Sequence, residues 1–336
     1  MRGSVRRRLL LILLLVPLIA LALVWLLAPL WLLEADYARL RWQSGMSEYG
    51  IRLDDHHWRY LDGGSGPTLV LVHGFTGSKE NWLLVAPHLR GFRLLAPDLP
   101  GWGESDRIPG ADYGIRAQVA RLNAFLEALE VRDAILVGHS MGGHIAGVLA
   151  SENAERLRGL VLMNSAGVEF EENDFARRLA AGDNPFSVDS AEAYDRWLDQ
   201  LFEVRPWAPK PVIHALGRQQ IAQRDFLDAL MDDLARGHDA YLLQARLPAI
   251  HLPTLVLWCS DDRILDVSSV NVLAFGLHDA RTRILDGCGH MPMMEKPVET
   301  AALLAAFGAS RSAGAGRAQS DVEAAPDAGD EGPPRT

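Results

Sequence analysis

The pentapeptide Gly138-His139-Ser140-Met141-Gly142 constrains this chain more than any other feature. It directly follows the apolar run Ala134-Ile135-Leu136-Val137 and directly precedes a helix-compatible stretch from Gly143 to Ser151. A G-x-S-x-G pattern between strand and helix requires a very tight turn, which strains the serine backbone and lifts its hydroxyl above the end of the sheet. Glycines two residues to either side leave room where a Cβ would strike neighbouring backbone. The elbow dictates a sheet with a helix returning from it. It also demands that the rest of the chain supply a base, an acid and an oxyanion hole.

The 336 residues suffice for about two average domains, or for one large α/β domain with an insertion. A formal charge of −10, with no basic stripe interleaved with aromatics, argues against nucleic acid as a partner. The same charge is repelled by anionic headgroups, so contact with a membrane has to be hydrophobic. Cys259 and Cys288 are the two cysteines and neither sits in a C-x-x-C pair, which excludes a disulfide scaffold and a zinc site of the usual spacing.

Arg2, Arg6, Arg7 and Arg8 precede an uncharged run from Leu9 to Leu33. About 25 helical residues reach roughly 37 Å, enough to cross a bilayer with some tilt. A cleaved signal peptide is the rival reading, with Ala20-Leu21-Ala22 as its small-x-small site. Its apolar region would end well before Leu33, which favours a retained transmembrane helix. Trp25, Trp31, Tyr37 and Trp42 suit an interfacial belt near the far end. The arginine excess before the span predicts a cytoplasmic N-terminus and a catalytic domain outside the cytoplasm, on the periplasmic side if the cell is Gram-negative.

Glu34 to Gln43 continues in a helical pattern, as a juxtamembrane segment. Ile51 to Leu53 and His57 to Leu61 read as a hairpin ended by Asp62-Gly63-Gly64-Ser65-Gly66-Pro67. Thr68 to Val72, Arg93 to Ala96, Ala134 to Gly138, Gly159 to Met163, Thr254 to Trp258 and Arg281 to Leu285 read as strands. Most are continuous apolar runs, as expected of parallel strands buried on both faces. Helical stretches alternate with them, notably Gln118 to Leu129, Met141 to Ala150 and a closing Pro297 to Phe307, so the sheet is expected to be mostly parallel. Val168 to Ile250 breaks the rhythm with helical patterns and no buried strand, and reads as a helical cap over the carboxyl ends of the sheet. Phe170, Phe175, Phe186, Trp197, Phe202, Trp207 and Phe226 read individually as its core and together as the lining of an apolar tunnel. The expected organisation is a basic N-terminus (1–8), a transmembrane helix (9–33), a juxtamembrane segment (34–48), a core (49–167 and 251–307), a cap (168–250) and a disordered tail (308–336).

A serine hydroxyl needs a base to take its proton, and imidazole does this best near neutral pH. His290, in Gly287-Cys288-Gly289-His290-Met291-Pro292 after the last strand, is the candidate; His73 reads as structural. A carboxylate must hold the imidazole in one tautomer and stabilise the imidazolium. Asp262, in Ser260-Asp261-Asp262-Arg263, is preferred, with Asp261 a close rival and Asp266 a distant one. The slot after Leu160 to Met163 offers Asn164 and Ser165 but no acid. Two backbone N–H donors must meet the oxyanion, each worth roughly 3 kcal/mol of barrier. Met141 supplies one and Phe75, in His73-Gly74-Phe75-Thr76-Gly77, the other. Asp98 to Ser105 reads as a supporting turn at the rim.

With these residues in place, the chain resembles the α/β-hydrolase superfamily over nearly all of Tyr49 to Phe307. The resemblance rests on His73-Gly74-Phe75, Asp98 to Ser105, Gly138 to Gly142, Asp262 and Gly289-His290. More narrowly, Asn164-Ser165-Ala166-Gly167, Leu265-Asp266-Val267-Ser268, Gly287-Cys288-Gly289-His290 and the apolar N-terminus resemble membrane-anchored monoacylglycerol lipases and related bacterial phospholipases. The resemblance implies an α/β-hydrolase fold with a helical cap, a Ser140, Asp262, His290 triad and an oxyanion hole at Phe75 and Met141. Substrate contacts are expected from Gly74, His139, Phe170, Trp197 and Trp207, with no metal or organic cofactor. Glycine is usual in that family where this chain has Cys259. In this arrangement the two cysteines lie near the triad and are expected as free buried thiols, a disulfide being the alternative in an exported domain.

The expected activity is serine ester hydrolysis of acyl glycerols or (lyso)phospholipids, with the lipid substrate and the bilayer as partners. A homodimer through the transmembrane or juxtamembrane helix is a further expectation, although the sequence shows no interface. Carbon–carbon bond hydrolysis or cofactor-free peroxidation with the same triad, and a non-catalytic binding role on the fold, are the alternatives.

Overall fold

The computed structural model describes residues 2–54 and 56–320. An apolar helix α1 (Arg2–Leu27) leads to α2 (Leu30–Ser44). The apolar run is thus two helices, and the boundary expected at Leu33 falls instead at Ala28-Pro29. Proline has no N–H to continue the ladder and its ring clashes with the preceding turn, so it starts a new helix more readily than it extends one. Leu10–Leu27 is long and apolar enough to cross a membrane, and none of it is buried against the rest of the chain. Helix α2 buries Leu40 and ends on Gly45, whose left-handed φ of 66° lets its N–H reach back to the carbonyl of Trp42.

Eight strands form one sheet in the order β1-β2-β4-β3-β5-β6-β7-β8. β1 (Met46–Leu53) and β2 (His56–Gly64) make an antiparallel hairpin at one edge. β1 begins inside the expected juxtamembrane segment because Met46 turns inward and is buried. β3 (Thr68–Val72), β4 (Arg93–Pro97), β5 (Ala134–His139), β6 (Leu157–Met163), β7 (Thr254–Cys259) and β8 (Ala280–Leu285) run parallel to one another. Every residue of β5 and β7 is buried, as the unbroken apolar runs require. The edge strand β8 instead puts Arg281 and Arg283 on its exposed side, which discourages pairing with another chain.

Helices α3 (Ile115–Ala128), α4 (Met141–Glu152), α10 (Ser269–Gly276), the short α11 (Pro292–Glu295) and α12 (Pro297–Ser320) accompany the sheet. Between β6 and β7 the chain forms α5 (Asp174–Ala180), α6 (Ala191–Leu201), α7 (Lys210–Ala222), α8 (Arg224–Arg236) and α9 (Leu242–Arg246), with no strand among the described residues. Phe175, Phe186, Trp197 and Phe202 are buried there, and Phe170 and Phe226 are packed half-buried against them. Helix α2 packs on α7.

The tail expected to be disordered from Gly308 stays helical to Ser320. Its alanines and arginines are good helix formers and no proline follows Pro297 within α12. Residues 321–336 lie outside the described residues.

Candidate active site

Ser140 joins β5 to α4 with φ 53° and ψ −122°, a conformation that a non-glycine residue adopts only under constraint. The surrounding backbone supplies the constraint. The Ser140 N–H donates to the carbonyl of Met163, and its own carbonyl accepts from Gly143, His144 and Ala166. A Cβ on Gly138 would lie 2.3 Å from the carbonyl oxygen of Gly142, and one on Gly142 would lie 2.4 Å from that of His73. Only glycine permits the elbow at both places.

His290 follows β8 in a loop and lies beside the elbow. Its Nδ1 is 2.8 Å from Asp262 Oδ2. The carboxylate accepts, so Nδ1 carries a proton and Nε2 is left as the ring nitrogen not engaged by Asp262. Asp262 is buried and fully engaged: Oδ2 also accepts from Asn164 Nδ2 at 2.7 Å, and Oδ1 accepts the N–H groups of Ile264 and Leu265. Its rivals are occupied elsewhere. Asp261 is exposed and accepts from the Ser260 hydroxyl, and Asp266 accepts the N–H of Ser268. Asn164, read in the sequence only as a slot without an acid, holds the Asp262 carboxylate in place from the end of β6.

His139 packs its ring 4.8 Å from that of His290, and its Nε2 donates to the His290 carbonyl at 2.7 Å. Burial, and then the neighbouring His290, push its pKa well below that of a free histidine, so it remains neutral. His73 is likewise buried and lowered to about 4. Its Nδ1 donates to the carbonyl of Gly74 and its Nε2 accepts the N–H of Leu99, which fixes the loop after β3 to the loop after β4. His144 attracted no attention in the sequence. It is buried on α4, accepts the N–H of Leu243 at Nε2, and is lowered to about 3 by burial.

The loop after β3 comes close to the serine, since a Cβ on Gly74 would lie 2.8 Å from that of Ser140. Met141 opens α4, where the first N–H groups have no intrahelical acceptor. Among the described residues neither its N–H nor that of Phe75 meets an acceptor. The loop is fixed from behind by Lys79, whose ammonium is wholly buried and bonded to Asp98 at 2.9 Å, Glu80 at 2.9 Å and Glu104 at 2.7 Å. Burial alone would lower the pKa of this ammonium; Asp98 and Glu80, then the bond to Glu104, raise it above the ordinary lysine value.

Above the loop the walls are aromatic. Phe75 meets Phe186 edge-on at 5.6 Å and Trp102 at 6.2 Å; Phe186 meets Phe175, and Trp102 meets Tyr113 and Phe226. Trp102 was read only as part of a rim turn. Of the expected substrate contacts, Gly74 and His139 adjoin the serine, whereas Phe170 is half-buried in the cap and Trp197 is stacked on Tyr194. Trp207 stands 87% exposed between α6 and α7.

The expectation of free thiols is corrected. Cys259 and Cys288 form a disulfide, with Cα atoms 5.2 Å apart. Cys259 pairs with Leu285 across β7 and β8, and the chain then doubles back so that Asp261 N–H bonds the Cys288 carbonyl. The bridge therefore begins three residues before Asp262 and ends two before His290.

An elbow serine, an imidazole oriented by a buried carboxylate, and a mostly parallel sheet with an inserted cap define an α/β hydrolase. A family model described as the alpha/beta hydrolase fold matches residues 67–297, and the chain belongs to that family. It is similar to the human monoacylglycerol lipase ABHD6, 30% identical over 309 residues that cover 88% of this chain and 92% of that protein. Lipase 1 of Psychrobacter immobilis is 31% identical over 255 residues, covering 74% and 79% respectively. Among solved structures, a membrane phospholipase A described as a bacterial virulence factor superposes with a TM-score of 0.81 at 36% identity, covering 91% of this chain and 99% of that one.

Proposed function

We propose that the protein is a membrane-anchored serine hydrolase that cleaves acyl esters of glycerolipids, monoacylglycerols or (lyso)phospholipids, through an acyl-enzyme on Ser140. The observation that carries this reading is the Asp262–His290 bond beside the strained serine. His290 Nε2 takes the proton as Ser140 Oγ attacks the ester carbonyl. Asp262 holds the tautomer and stabilises the imidazolium. The N–H groups of Phe75 and Met141 receive the oxyanion. The protonated imidazole then gives its proton to the departing alcohol oxygen, and water, activated by the same nitrogen, releases the fatty acid.

The apolar surround of Phe75, Trp102 and Phe186 favours an acyl chain over a polar acyl group. Relatives named as lipases and a phospholipase support the substrate class. Helix α1 as an anchor would hold the site where such substrates partition. A domain outside the cytoplasm agrees with the arginines before the span and with a disulfide, which persists in oxidising compartments.

The test is turnover of the detergent-solubilised protein on monoacylglycerols, lysophospholipids, diacyl phospholipids and aryl esters, beside Ser140→Ala. Turnover of a glycerolipid ester, lost by at least about 10⁴-fold in the variant, is the expected result. An active Ser140→Ala would remove the nucleophile assignment. Release from membranes by high salt would remove the anchor.

A further inference from the structure

One carboxylate outside the triad collects an unusual set of donors. Glu295, the last residue of α11, accepts the N–H of Gly289 at 3.0 Å and that of Met291 at 3.2 Å on Oε1, so its bonds bracket His290. Oε2 accepts the N–H of Glu203 at 2.8 Å and that of Val204 at 2.9 Å, two residues of the cap just beyond α6. A short side chain thus fastens the loop of the base to the cap through four backbone donors.

The same cap turn is held twice more. The His290 N–H donates to the carbonyl of Leu201 at 2.7 Å. The packing leaves no slack, since a Cβ on Gly289 would lie 2.8 Å from both the nitrogen of Glu203 and the oxygen of Leu201. On the acid side, Arg263 follows Asp262 and donates to the carbonyls of Asp199 and Phe202, and its guanidinium pairs with Glu203. Residues 199–204 are therefore gripped by the loop of the acid and the loop of the base together.

We infer that Glu295 is a positioning residue that makes seating of the cap and alignment of His290 a single event. A cap that lifts at 201–204 removes two of the four donors from the carboxylate and the carbonyl acceptor from the His290 N–H. His290 then loses the acceptor that fixes its backbone and Glu295 loses half of its donors, while the disulfide, Asp262 and the two bonds on Oε1 remain in place. Turnover is accordingly confined to the state in which the cap is seated over the bound acyl group. This inference rests on Ser140 and His290 being nucleophile and base.

The experiment uses the full chain in detergent and a fluorophosphonate probe that counts competent serines. Glu295→Gln keeps the volume but replaces one acceptor oxygen with a donor, so it abolishes one pair of the four bonds. Turnover of a soluble aryl ester per labelled site is expected to fall at least tenfold, with KM within twofold of the parent. A purely structural role would lower the number of labelled sites and leave turnover per site alone; a value within twofold of the parent overturns the inference. In case the variant does not fold, hydrogen exchange of the unaltered protein reads the same linkage. Amides at 289–291 and at 203–204 are expected to open at one common rate, and a tenfold difference between the two overturns the inference. A parent protein that takes no label at Ser140 overturns both the inference and the mechanism beneath it, whereas a labelled variant of unchanged turnover overturns the coupling alone.

Discussion

Acid should destabilise this domain through its buried neutral histidines, and His144 isolates the effect. In the folded chain its pKa is lowered to about 3, whereas an exposed imidazole in the unfolded chain titrates near 6.5. Between those values the unfolded state binds a proton that the folded state does not. Stability from this residue is therefore complete above about pH 6.5 and falls as pH falls, by about 1.4 kcal/mol per pH unit. At pH 4.5 the loss amounts to about 3 kcal/mol, a large part of the 5–15 kcal/mol typical of a folded domain. His73, lowered to about 4, and His139, lowered further still, act in the same direction. Asp98 and Glu80, whose carboxyls burial raises, act in the opposite one, so the difference between two proteins is the clean measure. His144→Gln keeps an acceptor for the Leu243 N–H but does not titrate. Urea unfolding followed by the fluorescence of the nine tryptophans would give both stabilities from pH 7.5 to 4.5. The variant should gain on the parent by about 1.4 kcal/mol for each unit below pH 6.5. Parallel curves would refute the reasoning, because they would mean that His144 takes up its proton without unfolding.

Asp262→Asn should cut turnover by about 10⁴-fold, since an amide cannot hold the imidazole in the required tautomer, while Asp261→Asn stays within a few-fold; steady-state kinetics on an aryl ester decide between them. Replacing Cys259 and Cys288 with alanine should cost about 3–4 kcal/mol from the loop of 29 residues that the bridge closes, read as a lower urea midpoint that added reductant no longer shifts. Lys79→Met leaves the buried Asp98 without its countercharge and should destabilise by about 3–5 kcal/mol, measured in the same way; a variant as stable as the parent would show that Asp98 is neutral when folded.

Much of the sheet was legible because its strands carry unbroken aliphatic runs, and those from Thr68 to Val72 and Ala134 to Val137 need no tertiary context to declare themselves. The elbow was legible for a different reason, since its motif is contiguous and Gly138 answers to a collision within it, against the carbonyl of Gly142, although Gly142 answers to the distant carbonyl of His73. The pairing of Cys259 with Cys288 was not, because it depends on how the turn after β7 meets the loop after β8, a contact across 29 residues. The step from α1 to α2 was written in Pro29 but masked by the apolar residues on both sides. Asn164, His144 and Glu295 escaped for a shared reason. Each works through a bond to a distant element, and polar residues of that kind carry no periodicity.

The cap leaves the sheet after β6 and returns at β7, and these strands are immediate neighbours. Such an insertion is open to exchange, since a helical module whose ends meet at that gap can replace it without changing the order of the strands. The grip on residues 199–204 sets the terms of that exchange. A grafted module must present, at one turn, two N–H groups to Glu295 and a carbonyl to His290. Chimaeras that lack this turn should fold and bind ligand yet turn over slowly, so descent with new substrates is channelled toward caps that change their aromatic walls and keep one short stretch of backbone.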